Sequence, residues 1–225
     1  MEQTFFNIRI FFKKRGRVKY ISHLDLNRVF MRALKRSNLP VWYTEGYNPH
    51  MYITFALPLS LGYESEHEIL DLRLTRNISP ETVKRALNAA FPEGLNVTDV
   101  ALPIMKPSEI AKAEYEIILL SDDPQTLSGL FRDFINREQI IVTKKTKRGF
   151  SEIDLKPEIY GVSHSVSFSS DYPKPFLKIT IILPAGSVKN INPSLLTSEF
   201  LKDNPDIPVN ITRTRVLTDK DIDFI

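Results

Sequence analysis

Two groups of side chains in the first third of the chain have types and spacings that could support chemistry. The first group is His23 and Asp25, which follow closely after a basic stretch at residues 13–19. An imidazole titrates near cellular pH, so His23 could serve as a general acid or base in metal-independent cleavage of RNA. A lone histidine at such a position more often shapes the first turn of a helix, and we favour that interpretation.

The second group is acidic and comprises Glu64, Glu66, His67, Glu68 and Asp71. Carboxylate and imidazole ligands of this kind could hold a hard cation. Side chains of a strand alternate between its two faces, however, so a strand here would divide the group between opposite sides. We therefore predict the polar beginning of a strand that continues into a buried apolar stretch, with no metal site and no cofactor.

Positive charge is concentrated in the same part of the chain. Residues 3–44 contain ten Lys or Arg and a single acid, Asp25, although the formal net charge of the whole chain is only +3. Charge concentrated in this way indicates a polyanionic partner, and phosphates of RNA would be bound with a strong salt dependence. The predicted RNA-binding residues, which include a second basic loop, are Lys13, Lys14, Arg15, Arg17, Lys19, Arg28, Arg32, Arg36, Lys144, Lys145, Lys147 and Arg148.

Aromatic side chains near the basic residues could add contacts to unpaired bases. Tyr20, Trp42, Tyr43 and Tyr47 are candidates, because RNA-binding sheets and loops often stack bases on aromatic rings. Tyr47 lies in the sequence Gly-Tyr-Asn-Pro at residues 46–49, where glycine and the residue before proline favour a turn. A specific turn into the next strand explains this sequence without a function.

Hydrophobic periodicity places these residues on an alternation of strands and helices. We predict strands at residues 5–12, 52–57, 68–74 and 95–102, a helix after Ser22 as N-cap, and a second helix that begins near Ser79. The order is β-α-β-β-α-β, that of the ferredoxin-like motif. Residues 103–113 are predicted to be a linker.

The same order is predicted to repeat after the linker. Strands are expected at residues 115–120, 139–144, 176–183 and 209–216, with helices that begin near Asp123 and Asn192. The prediction is therefore an α+β fold of two tandem ferredoxin-like domains with antiparallel sheets, a basic domain at residues 1–105 and a second domain at residues 106–225.

The absence of cysteine from the chain excludes several classes of site. Disulfides, thiolate zinc sites, cysteine nucleophiles and an iron–sulfur cluster held by the chain's own thiolates all require that residue. The first apolar run is too short for a signal peptide and is interrupted by Asn7 and Arg9. No apolar run reaches the length of a membrane span, so we expect a cytoplasmic protein without a membrane partner.

Residues 20–72 resemble the bacterial family of radical-SAM-associated proteins, a domain of unknown function. Members carry a similar His-Leu-Asp helix start, a Gly-aromatic-Asn-Pro turn, an apolar Pro-Leu-x-x-Gly segment, here residues 58–62, and a Ser-x-x-Glu step. Residues 148–157 and 183–186 also resemble later segments of that family. The motif residues, interpreted as a recognition surface, are His23, Asp25, Gly46, Tyr47, Asn48, Pro49, Ser65 and Glu68.

The resemblance implies a partner and no activity. Family members are fused to, or encoded beside, a radical SAM protein, and a chain without cysteine would leave the radical chemistry to that separate polypeptide. The leading hypothesis is therefore a non-catalytic RNA-binding or adaptor protein that acts with a radical SAM enzyme in RNA modification or processing.

Two alternatives remain open on the sequence. The architecture is also similar to that of CRISPR repeat-RNA endonucleases, which favours an endonuclease that uses His23. Those enzymes carry a glycine-rich loop near the C-terminus, whereas residues 183–189 contain only Gly186. The other alternative is a protein-interaction module without RNA binding, whose basic face contacts an acidic partner.

Overall fold

Ten strands and four α-helices lie in the described residues, 5–146 and 149–225, of this computed structural model. Of Lys145 and Thr146 only the backbone is described. The fold is α+β with mostly antiparallel strands, which confirms the predicted class. Residue contacts divide the chain into a first unit, the residues up to Glu109 with Phe224 and Ile225, and a second unit, Ile110–Asp223.

The elements of the first unit are β1 (Phe6–Lys14), α1 (His23–Arg36), β2 (Ile53–Phe55), β3 (Glu64–Leu74), α2 (Pro80–Ala90) and β4 (Leu95–Ala101). A short 3-10 helix, Gly16–Tyr20, joins β1 to α1. The strands lie in the order β4-β1-β3-β2, and every neighbouring pair is antiparallel. Strand β2 is shorter than predicted and β3 begins earlier, because residues 65–68 already pair with the end of β1.

One face of β1 forms the core of the first unit with its two helices. Ile10 and Phe12 are fully buried among residues that include Phe30 of α1 and Leu87 of α2. The Phe12 and Phe30 rings pack with centroids 4.8 Å apart. The buried residues of α1 recur at helical spacing, so one stripe of the helix faces this core.

The centre of the other face of β1 is buried as well, although it carries the charged side chain of Arg9. The fully buried guanidinium of Arg9 donates two hydrogen bonds to the carboxylate of Asp71 on β3, at 2.7 and 2.8 Å. It also donates to the carbonyl oxygens of Met105 at 2.9 Å and Ile225 at 2.7 Å. The Phe224 ring lies 4.5 Å from the guanidinium carbon. Arg9 therefore connects three segments of the first unit: β3, the residues around Met105, and residues 224–225.

The elements of the second unit are β5 (Ile110–Leu120), α3 (Pro124–Ile135), β6 (Ile141–Thr146), β7 (Gly149–Asp154), β8 (Gly161–Ser167), β9 (Phe176–Pro184), α4 (Ser194–Phe200) and β10 (Val209–Thr218). Strands β10, β5, β9 and β8 are neighbours in that order, all antiparallel, and β6 and β7 form a separate hairpin. The prediction of a linker through residue 113 is wrong, because β5 begins at Ile110 and Lys112 already pairs with Pro184.

Aromatic side chains link the two helices of the second unit. The Phe200 ring of α4 lies 5.2 Å from Phe131 and 5.3 Å from Phe134 of α3, measured between centroids. Asp123 caps α3 by accepting a hydrogen bond from the Thr126 amide, as the sequence predicts. Among the described helices, none combines the length and the apolar character that crossing a bilayer requires.

Candidate nucleic-acid interface

The start of α1 is a capped helix terminus built from the His-Leu-Asp motif. The Ser22 hydroxyl accepts a hydrogen bond from the Asp25 amide at 3.1 Å and donates one to the Asp25 carboxylate at 2.7 Å. The Arg28 guanidinium donates to the same carboxylate at 2.9 Å. The Ser22 and Arg28 hydrogen bonds hold the pKa of Asp25 below its usual value. The Asp25 carboxylate thus stabilises the start of α1.

His23 is exposed at the first helical position, as the simpler interpretation predicts. Its ring makes an edge contact with Phe55 of β2, with centroids 5.0 Å apart. The neighbouring carboxylate of Asp25 is engaged by Ser22 and Arg28 and not by the imidazole.

The basic stretch at residues 13–19 is paired with the acidic start of β3. Lys13 Nζ lies 2.8 Å from a carboxylate oxygen of Glu66, and Arg15 donates to the other oxygen of the same carboxylate. Lys19 Nζ lies 3.8 Å from Glu64. These two glutamates, and not the whole acidic group, are therefore counter-ions of the basic stretch at residues 13–19. Among the described residues, no group of three or more His, Asp or Glu side chains is placed to hold a metal ion.

We expect Glu66→Gln to destabilise the first unit by about 1 kcal/mol at pH 7 and by less at pH 3. Burial opposes ionisation of Glu66, but hydrogen bonds from Arg15 and Lys13 outweigh it and hold its pKa below the usual value. The stabilisation is therefore fully present above the usual pKa of a glutamate, about 4.3, and is lost as the pH falls through the lowered pKa. Urea unfolding followed by the fluorescence of Trp42, the one tryptophan, measures it.

Glu45→Gln is the matched control, because Glu45 is exposed and has no ion pair with any described residue. A destabilisation by Glu66→Gln that is larger at pH 3 than at pH 7 would contradict the ion pairs of Glu66.

Three predicted surface residues are corrected by the structure. Lys14 is only 2% exposed, so the expectation that it contacts RNA from the surface is wrong. Ser65 and Glu68 of the family motif are also buried and do not form part of an exposed recognition surface. Alternation along the strands places Lys14 on the core face of β1 and Glu68 on the core face of β3. An irregularity in the pairing of the two strands then places Ser65 opposite Lys14.

Several predicted basic residues remain exposed on the first unit. Arg17 of the 3-10 helix and Arg32 of α1 have no ion pair within the part of the chain that the structure describes. Arg28 and Arg36 lie at four-residue spacing on either side of Arg32 and are exposed, although Arg28 is paired with Asp25. The Arg36 guanidinium donates to the carbonyl oxygen of Ala90 at 2.6 Å, at the C-terminus of α2.

A groove of about 630 Å³ lies between the 3-10 helix and the loop after α2. We call it the arginine groove; its lining residues are Arg15, Gly16, Arg17, Pro92, Glu93 and Gly94. The Arg15 amide donates to the carbonyl oxygen of Gly94 at 2.8 Å, which fixes the two walls against each other. The two guanidinium groups are suited to phosphate oxygens, and the carboxylate of Glu93 can accept a hydrogen bond from a sugar hydroxyl.

The backbone around the arginine groove requires glycine at position 94. Gly94 has φ +92°, and a Cβ atom there would lie 2.4 Å from the carbonyl oxygen of Arg15. Asn88 holds the loop from its other side: its side chain accepts from the Val97 amide at 2.7 Å and donates to the Val97 carbonyl at 3.0 Å. The groove therefore has rigid walls. Sequence reasoning missed Pro92, Glu93 and Gly94, whose signal was the Pro-Glu-Gly turn directly after a helix.

The second basic loop is described only in part. Lys144 Nζ donates to the carbonyl oxygen of Asn190 at 3.2 Å. The backbone of Lys145 lies in β6, opposite Phe150 of β7. Lys147 and Arg148 lie outside the described residues, so their predicted contact with RNA stays a prediction.

The Gly-Tyr-Asn-Pro turn is the tip of a small hairpin, residues 42–52, that we call the 42–52 hairpin. Tyr43 and Met51 form a bridge near its base, and the Thr44 amide donates to the carbonyl oxygen of His50 at 2.8 Å. Gly46 has φ +119°, a left-handed conformation that favours glycine. All four residues of the motif turn are exposed.

Comparisons with known proteins identify a family. Over 93% of its length the chain is similar to a chain in the crystal structure of a Cbf5-Nop10-Gar1 complex, at 14% identity and a TM-score of 0.45, and it spans about half, 48%, of that chain. It is also similar over 93% of its length to 99% of an unknown protein from Galdieria sulphuraria, at 10% identity and a TM-score of 0.28. No curated protein matches the chain. The model of the family described as "Uncharacterized protein conserved in bacteria (DUF2344)" matches residues 7–193, and the chain belongs to that family.

Proposed function

We propose that this protein is a non-catalytic RNA-binding adaptor that acts with a separate radical SAM enzyme in RNA modification or processing. The observation that carries the proposal is the arginine groove, where Arg15 and Arg17 line a rigid cleft large enough for a nucleotide. Arginine is well matched to phosphate, because its planar guanidinium can donate two parallel hydrogen bonds.

The charge that remains after internal pairing supports a polyanionic ligand. Glu64 and Glu66 neutralise part of the basic loop, whereas Arg17 and Arg32 have no carboxylate partner among the described residues. Uncompensated arginine beside a groove attracts phosphates and makes their binding dependent on salt. The proposed RNA-binding surface therefore centres on Arg17 and Arg32. Arg15, Arg28 and Arg36 complete it, and Arg15 and Arg28 exchange a carboxylate for a phosphate when RNA binds.

The adaptor role combines the fold with the resemblance to radical-SAM-associated proteins. The strand orders β4-β1-β3-β2 and β10-β5-β9-β8 support two tandem ferredoxin-like domains, the second with the β6–β7 hairpin inserted. A chain without cysteine would depend on its partner for an iron–sulfur cluster. A cytoplasmic location is part of the same proposal.

A native gel of the protein with labelled cellular small RNA, in EDTA and across a salt series, tests the proposal. A shifted band of intact RNA that disappears as salt increases is the expected result. RNA shortened by the wild type and left intact by His23→Ala would overturn the non-catalytic assignment in favour of the endonuclease. If low salt gave no shift, RNA binding would be wrong and the protein-interaction alternative would stand.

The partnership is tested separately from RNA binding. The protein is co-expressed with a radical SAM protein encoded beside a family member, and the mixture is resolved by size-exclusion chromatography. We expect the two chains to elute together, both with and without nuclease treatment. Separate elution under both conditions would contradict the adaptor role.

A further inference from the structure

The 42–52 hairpin presents an aromatic ring on an ordered frame. The Tyr47 side chain is 100% exposed at the tip. Beneath it the His50 amide donates to the Thr44 hydroxyl oxygen at 3.1 Å, and the same hydroxyl lies 3.0 Å from His50 Nδ1. Single exposed aromatic residues are common on protein surfaces. A tip held by its own hydrogen bonds has less conformational entropy to lose when a ligand contacts the ring.

The base of the hairpin carries a positive charge enclosed by aromatic rings. The Arg73 guanidinium lies 4.6 Å from the Tyr52 ring, 4.9 Å from Trp42 and 5.1 Å from Phe5. Its hydrogen-bond partner is neutral, the side-chain oxygen of Asn7 at 3.0 Å. Arg73 has no carboxylate partner among the residues described, so its charge is not cancelled locally.

Exposed rings on one hairpin, together with a guanidinium at its base that has no carboxylate partner among the described residues, suit single-stranded nucleic acid. Aromatic faces stack on bases, and the cation attracts the phosphates between them. Tyr43 and Tyr52 are about 40% exposed on the same hairpin, at 41% and 40%. An acidic protein partner would also be attracted by the charge, but it would not need three exposed rings around the hairpin.

We propose that the 42–52 hairpin stacks an unpaired base of RNA on Tyr47, as a second contact for the strand whose phosphates occupy the arginine groove. This inference rests on the proposed function. The hairpin starts next to Val41, which bridges Leu74 opposite Phe6, the first residue of β1. Arg15 of the groove follows the last residue of β1.

The base of the hairpin and the arginine groove lie at opposite ends of β1. Nine residues of strand span about 27 Å. Stacked nucleotides rise by about 3.4 Å each, so four of them cover about 14 Å. A strand of four nucleotides therefore cannot fill both contacts, whereas one of sixteen nucleotides can.

Fluorescence anisotropy with labelled oligouridylate of four and sixteen nucleotides tests the inference. Tyr47→Ala should weaken binding of the longer RNA about tenfold, by the same factor at every salt concentration, because stacking neutralises no phosphate. Binding of the shorter RNA should be unchanged, and Tyr47→Phe should retain most of the affinity. Phe168→Ala, which truncates another exposed ring, is the matched control.

Different results would contradict the stacking site alone and the RNA-binding function as a whole. If Tyr47→Ala binds the longer RNA as tightly as the wild type while Arg17→Glu weakens it, the stacking site is wrong and the groove stands. That outcome would favour a protein partner for the hairpin. If the wild type binds neither RNA at low salt, the proposed function and the stacking site are both wrong. A loss of RNA affinity in Tyr47→Ala whose size changes with the salt concentration would also contradict stacking.

Discussion

Replacing Arg9 with methionine is expected to lower the free energy of unfolding of the first unit by about 3 to 4 kcal/mol. Methionine has a similar length but donates no hydrogen bond. The substitution leaves the carboxylate of Asp71 and the carbonyl oxygens of Met105 and Ile225 without the donor that they share. An acceptor that is largely withdrawn from water and loses its donor costs about 1 to 3 kcal/mol, and the Asp71 side chain is only 21% exposed. Urea unfolding followed by Trp42 fluorescence measures the change.

Arg28→Met is the matched control for this prediction. Arg28 is also paired with an aspartate, Asp25, but both side chains are more than half exposed, at 55% and 51%. Exposed ion pairs contribute about 0 to 1 kcal/mol, so the control should be nearly neutral. Equal losses in the free energy of unfolding for the two variants would contradict the conclusion that the buried contacts of Arg9 stabilise the first unit.

Reversing two charges is expected to produce the largest loss of RNA affinity. The double variant Arg17→Glu with Arg32→Glu should bind a sixteen-nucleotide RNA about 100-fold more weakly at low salt. Each phosphate contact on a single strand contributes about 0.7 to the slope of log affinity against log salt, so the slope should be shallower by about 1.4. Neither residue is buried or ion-paired among the described residues, so the fold should be retained.

A variant with the same net charge separates a local effect from a general one. Lys202→Glu with Lys220→Glu changes two exposed lysines of the second unit. This control should lose little affinity if the first unit binds RNA. Glu66→Gln should act in the opposite direction, because it releases Lys13 and Arg15 for phosphate. Equal losses in the two double variants would contradict a localised surface.

The parts of the fold that follow from local signals were predictable from sequence. Ser22, Ser79 and Asp123 are N-caps of α1, α2 and α3, each with the hydrogen bond that its side chain predicts. The class and the order of elements in the first unit followed from periodicity. The start of β5 did not, because the prolines of residues 103–107 suggested a linker that continued further than it does.

The candidate site was less predictable, because it depends on pairings between distant residues. The charge run of residues 13–19 could be read from the sequence, but its neutralisation by Glu64 and Glu66 requires β1 and β3 to be adjacent. Burial of Lys14 and Glu68 follows from their positions on the core faces of β1 and β3, which a loop assigned to residues 13–19 concealed. The arginine groove includes the loop after α2, which only the folded chain brings to Arg15.

Titration of wild-type protein against a sixteen-nucleotide RNA, at several salt concentrations and in EDTA, tests the central claim most directly. The proposal predicts saturable binding whose log affinity falls linearly and steeply with log salt. Absence of binding at low salt, or an affinity independent of salt, would contradict an RNA-binding surface built from Arg15, Arg17 and the arginines of α1.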